Sequence, residues 1–382
     1  MAQKYNTMIM GASYGSLLAI KLLLAGHNVK LICLPDEADL INREGQLVRM
    51  PVRGREGLVK IHSRDLPGDL SAAATDAVDP KDYDLIALAM QEPQFGSPGV
   101  RELLDSVAKS GVPCMSIMNM PPLPYLARIP GLDIDGLKQC YTDATVWDSF
   151  DPALMTLCSP DPQAFRPPEE PTNVLQVALP TNFKAARFES EIHTAILRRM
   201  QWDIEAIRFD IGDGEVELPV KLKVHESVFV PLAKWSMLLT GNYRCIQEKD
   251  MRSIKDSVHS NLETSKAVYE WVGEVCRTIG ASPDDQVPFE KYANAANGLA
   301  KPSSAARALL AGAPNIERAD CLVRTIAAQQ GMHNDVVDQT VAAQQVVHVL
   351  PCHDGLLDGD PVPGKPLPQS SGVRLTGIDH QT

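Results

Sequence analysis

The sequence predicts an α/β domain built on a parallel sheet, followed by an all-helical domain. Three observations predict it. Residues 7–34 read as strand, glycine turn, helix and second strand. Short apolar runs then recur, at 85–89 and 113–118, as in strands buried on both faces. Beyond residue 214 the apolar spacing becomes helical. The expected units are 1–214, 215–350 and an extended tail or surface strap, 351–382, rich in Pro, Gly, Asp and Ser.

The first unit opens on Met8, Ile9 and Met10, a run short enough for a buried strand. Gly11 and Gly15 bracket the turn, and Leu17, Leu18, Ile20, Leu22 and Leu23 make a helix that is apolar on much of its surface. Gly26 stands where a helix C-cap glycine belongs, and 29–34 is the second strand. At such a strand–helix junction, backbone N–H groups and the helix dipole hold a pyrophosphate. In the fingerprint G-x-G-x-x-G, Gly15 takes the third glycine position, while Met10 and Ala12 occupy the first two. The turn Gly11, Ala12, Ser13, Tyr14 and Gly15 is the candidate phosphate cradle; the plainer reading is a βαβ unit whose glycines serve close packing.

An acidic residue at the end of the second strand reads the ribose of NAD, and an arginine there accommodates NADP. Leu34 is neither. Asp36 lies just beyond, either within reach of a ribose or as an acidic start to the next helix. Residues 46–61 read as short strands around Gly54, and 71–82 as a polar loop or helix. The strand at 85–89 ends in Met90 and Gln91, where it would face a cofactor. A helix follows at 97–110, then a strand at 113–118 that delivers Asn119 to the ligand crevice of a parallel sheet. Residues 148–173, rich in Pro, Asp and Glu, read as an irregular excursion. A strand at 174–179, a helix at 189–200 and a last strand at 204–211 complete the unit. Helices are expected at 221–246, 252–279, 286–297, 302–311, 315–330 and 334–349.

A net charge of −12 argues against nucleic acid and anionic membrane surfaces as partners. No signal peptide is expected, and Lys21 interrupts the longest apolar stretch well short of a membrane span. The eight cysteines are scattered without a C-x-x-C, which fits reduced thiols in a cytoplasmic protein and no metal site.

Three stretches carry a resemblance. M-G-A-S-Y-G-S-L-L-A at 10–19, P-L-A-K-W-S-M-L-L-T-G-N at 231–242 and K-P-S-S-A-A-R-A-L-L-A-G-A-P-N-I-E-R-A-D at 301–320 resemble the ketopantoate reductase (2-dehydropantoate 2-reductase) family. The resemblance implies a Rossmann-like domain and a helical domain like that closing 6-phosphogluconate dehydrogenase. It implies an NADP- or NAD-dependent reductase of a small 2-oxo acid in pantothenate biosynthesis, working as a homodimer. It implies that Lys234 is the general acid, that Glu317 is catalytic, and that Asn119 and Gln91 lie at the cofactor, with Asn242 and Ser304 on the substrate. Leu238 replaces the family's first asparagine after the lysine, Gln91 its lysine after the fourth strand, and Leu34 its NADP-reading arginine.

A lysine donates a proton well only when burial lowers its pKa, and Lys234 lies among Val228, Phe229, Val230, Leu232, Trp235 and Met237. Ser304 reads equally as a helix N-cap, and Glu317 as a first-turn acid. His225, nine residues before Lys234 on the expected helix with Pro231 between, keeps open an opine-type dehydrogenase with a histidine acid–base. A dinucleotide-binding protein that senses redox state without catalysis is the third reading.

Overall fold

The computed structural model describes residues 3–347, apart from 213, 248 and 249. Strand β1 (Asn6–Met10) passes through the glycine turn into helix α1 (Gly15–Leu24) and on to β2 (Asn28–Ile32), which pairs with β1 in parallel. α1 is buried from Gly15 to Leu23. Lys21 lies inside it: its Nζ donates to the Pro219 carbonyl at 3.0 Å, and burial pushes its pKa down to about 7. Helix α2 (Pro35–Glu44) then leads to the hairpin β3 (Leu47–Pro51) and β4 (Leu58–His62), with Gly54 in its turn as expected.

The chain continues through β5 (Leu70–Ala73), β6 (Leu85–Leu88), helix α3 (Val100–Ser110) and β7 (Cys114–Ile117). β8 (Met155–Ser159), β9 (Gln163–Phe165), β10 (Val174–Leu179) and β11 (Phe183–Ala186) follow. After the helix Glu191–Ala206 come the two-residue strands β12 (Phe209–Asp210) and β13 (Glu215–Val216), and then β14 (Leu222–His225). The main sheet runs β14-β11-β8-β7-β6-β1-β2-β5, parallel except where β11 meets β8. A second sheet runs β4-β3-β10-β9.

Alternation along the strands divides the core. Met8 and Met10, with Ile86 and Leu88, face one hydrophobic cluster. Ile9, Leu85 and Ala87 face the other, which holds α1. The first cluster runs on into the helical domain through Trp235, Leu238, Leu239 and Tyr243, and on to Leu322 and Ile326. The helical domain is thus packed on one face of the sheet. Its helices Phe289–Ala296, Ser304–Leu310, Ala319–Gln329 and Asp335–Val347 fall where the spacing predicts, while the one expected at 252–279 is split into Ile254–His259 and Leu262–Thr278, the second capped by Asn261.

Several expectations are corrected. The polar stretch at 71–82 begins with the edge strand β5. The excursion at 148–173 contains β8, all five residues of which are buried in the main sheet. Two of those five are hydroxyl residues, so no apolar run marks the strand; Thr156 Oγ1 satisfies itself on the Ala186 carbonyl at 2.7 Å. β10 belongs to the second sheet. The strand expected at 204–211 shrinks to the two residues of β12, because 204–206 end the helix Glu191–Ala206. The helix expected from 221 begins as β14, which pairs in parallel with β11, so the main sheet extends past the boundary expected at 214. Pro231 then lies in a 3₁₀ turn, Val230–Ala233, followed by one α turn (Lys234–Met237) and a π turn (Leu238–Asn242). The expected tail, 351–382, lies outside the described residues.

Candidate active site

The carboxyl ends of β1, β6, β7 and β8 lie side by side, and the helical domain faces them. At β1, Gly11 has φ +103°, and its N–H donates to the Ile32 carbonyl at 2.9 Å. A Cβ there would lie 2.6 Å from the Ala89 carbonyl oxygen, so only glycine fits. A Cβ on Gly15 would lie 2.6 Å from Ile9 Cγ2. That is the third-glycine role, close helix–strand packing. Ala12 is buried at the second-glycine position. Tyr14, the residue before α1, offers its N-terminus no side-chain cap, which leaves the turn open to an anion. This cradle fits a dinucleotide pyrophosphate.

Asp36 is exposed on the first turn of α2. Its neighbour Glu37 is the acid that turns inward, ion-paired with Arg166 just after β9. Beyond β6, the Gln91 N–H donates to Gln94 Oε1 at 2.9 Å.

Two clusters join the domains. In the first, Asn119 Nδ2 donates to Glu317 Oε2 at 3.2 Å, and the Glu92 N–H donates to Glu317 Oε1 at 3.3 Å. Glu317 is 7% exposed. Burial pushes its pKa up to about 7, against the pull of those two bonds. Its own carbonyl accepts the Tyr243 hydroxyl at 2.6 Å. Sequence reasoning placed Asn119 and Glu317 in one site, and they are in contact.

The second cluster centres on a residue that sequence reasoning missed. Asp161, in the loop after β8, accepts Lys184 Nζ at 2.8 Å and stands 3.4 Å from Lys234 Nζ. The side chains of Asp161, Lys234 and Lys184 are 11%, 14% and 29% exposed. Ser159 Oγ also donates to Asp161. Burial alone would raise the Asp161 pKa, but the two ammonium groups and the hydrogen bonds outweigh it and hold the pKa below the usual value. The Tyr14 hydroxyl donates to the neighbouring Pro160 carbonyl at 3.2 Å, which ties this loop to the glycine turn. No motif marks Asp161, because its stretch reads as irregular.

Among the described residues, the other expected residues make no hydrogen bond or ion pair to these clusters. His225 ends β14 and is not on a helix with Lys234; its carbonyl accepts the Arg187 N–H at 2.9 Å. Its Nε2 is buried without a hydrogen-bond partner, and burial lowers its pKa. Ser303, not Ser304, is the buried serine; it caps the helix through the Ala306 N–H at 3.2 Å and donates to the Asn242 carbonyl at 2.8 Å. Ser304 is exposed, and Asn242 ends the π turn.

No family model matches the sequence, and no curated protein does. Solved structures match in fold. A 2-dehydropantoate 2-reductase from Methylococcus capsulatus is 12% identical over 90% of this chain and 97% of its own, with a TM-score of 0.61. A ketopantoate reductase from Staphylococcus aureus, described as dimeric, is 10% identical over 90% and 98%, with a TM-score of 0.55. D-mandelate dehydrogenase in complex with NADH is 10% identical over 90% and 98%, with a TM-score of 0.56. What the chain shares with them is architecture: it has a ketopantoate reductase-like fold, a Rossmann-like domain with a parallel-dominated sheet carrying an all-helical domain.

Proposed function

We propose that the chain is an NAD(P)H-dependent oxidoreductase that reduces a small 2-oxo acid, ketopantoate-like in class, to the 2-hydroxy acid. The observation that carries the reading is that groups from both domains meet beyond the ends of β6, β7 and β8: Glu317 with Asn119, and Lys234 with Asp161. The names of the structural neighbours support the same chemistry.

The turn Gly11–Gly15 holds the pyrophosphate, and Asn119 lies at the nicotinamide side of the crevice. A reduced nicotinamide bound there supplies the hydride to the carbonyl carbon. Lys234 gives a proton to the carbonyl oxygen, and Asp161 holds its ammonium in place. With its pKa near 7, Glu317 is a mixture of acid and carboxylate at neutral pH; it donates to the ketone oxygen in one form and accepts from the product hydroxyl in the other. The reading extends to a cytoplasmic homodimer and a place in pantothenate synthesis.

The test is a panel of 2-oxo acids, each with NADH and NADPH, followed by nicotinamide absorbance. Reduction of any member that is lost in Lys234→Ala and kept in His225→Ala supports the reading. Tight dinucleotide binding with no turnover across the panel overturns it in favour of a non-catalytic dinucleotide-binding protein.

A further inference from the structure

We infer that Lys184 is a substrate-recognition residue, forming with Lys234 a two-ammonium seat, oriented by Asp161, for the carboxylate of an anionic substrate. The inference deepens the reductase reading, on which it rests for the place of the substrate.

Two ammonium groups against one carboxylate leave a net charge of +1 in a cluster whose side chains are all less than one-third exposed. A surplus buried charge is costly unless a counter-ion completes it. Among the described residues, Asp161 is the only carboxylate paired with Lys184 or Lys234. Each ammonium has three donors; Lys184 directs one to Asp161 and Lys234 stands 3.4 Å from it as an ion pair, leaving donors for a further anion. The nearby His225 adds no negative charge. The seat also has the right place. Lys184 comes from β11, Lys234 from the helical domain and Asp161 from the end of β8. The Tyr14–Pro160 bond fixes the Asp161 loop against the turn that cradles the cofactor. A carboxylate on the two ammonium groups would bring an adjoining carbonyl within reach of Lys234.

The experiment is titration calorimetry on the full chain saturated with NADH, using oxamate, a non-reducible 2-oxo acid mimic, and its uncharged partner oxamide. The wild type should prefer oxamate. Lys184→Met should weaken oxamate roughly 10- to 100-fold, as expected for one charge-assisted hydrogen bond, with oxamide and NADH affinities unchanged. Lys184→Arg should keep most of the oxamate affinity. Wild-type oxamate affinity in Lys184→Met overturns the inference. So does equal affinity of the wild type for oxamate and oxamide, a comparison that stands even if Lys184→Met does not fold. Oxamate binding that depends on Lys184, in a protein that reduces no 2-oxo acid, supports the seat and removes the reductase reading; the two failures are therefore distinct.

Discussion

Asp161 and Glu317 are both nearly buried acids at the same sheet edge, yet their pKa values move in opposite directions. Burial pushes each of them up. At Asp161 it is outweighed by two lysines and a serine hydroxyl, so the group stays a carboxylate. Among the described residues, Glu317 meets an amide and a backbone N–H but no cation, so burial, helped by the Glu92 charge, wins and the pKa reaches about 7. Neighbours, not depth, decide which acid holds charge and which can exchange a proton near neutrality. The division assigns roles: Asp161 anchors ammonium groups, and Glu317 shares a proton with what binds beside it.

The largest expected effect is at the lysine that Asp161 holds. Lys234→Ala should lower kcat by about 10²–10⁴ with little change in NAD(P)H affinity. Lys234→Arg should not restore it, because guanidinium keeps its proton. A Lys234→Ala enzyme within a few-fold of wild type would end its assignment as the acid.

Asp161→Asn should be the most destabilising change at the site at neutral pH, with about 3–5 kcal/mol as an upper bound, because it leaves two partly buried ammonium groups uncompensated. The folded pKa of Asp161 is depressed, so its contribution is present above the ordinary aspartate value of 3.8 and lost as pH falls through the folded pKa. Urea midpoints for wild type and variant should converge in acid. If they stay apart there, the ion cluster does not set the stability.

Glu317→Gln should act in the opposite sense. A pKa raised from 4.5 to about 7 adds stability that is full below pH 4.5 and lost as pH rises to 7 and beyond. The difference amounts to about 3 kcal/mol as an upper bound. The wild type should lose stability across that interval, and Glu317→Gln should be flatter. Parallel curves would mean that Glu317 is ionised throughout.

The smallest effect belongs to the glycine turn. Gly15→Ala should cost about 1–3 kcal/mol by overpacking against Ile9 Cγ2, and Ile9→Ala, which removes that methyl, should cost less in the Gly15→Ala background than in the wild type. Thermal melts of the single and double variants read this directly. A bulkier residue at 15 would disturb the packing of α1 on β1 before it reached a phosphate.

Much of this was legible from spacing. The βαβ unit, the strands ending at Gln91 and Asn119 and most helices of the second domain follow from periodicity and turn chemistry. Asn119 was found because it sits at a strand end, where local sequence carries a signal, and Glu317 through the family resemblance. β8 was not legible: five buried residues with two hydroxyls, set between proline- and aspartate-rich segments, look like a loop until neighbouring strands accept their hydrogen bonds. β14 was misread because its apolar residues suit a helix and a strand equally.

By itself, the sequence determined the opening strand–helix–strand unit, that a glycine turn opens its helix, and that Asn119 stands at a strand end. Those are local properties, set by a few neighbouring residues. Only the tertiary structure decided that Asp161 faces Lys234, that Lys184 joins them, and that Glu317 is buried without a cation. These contacts link residues far apart in the chain, and the charge state of each group depends on which partners the fold brings within a few ångströms.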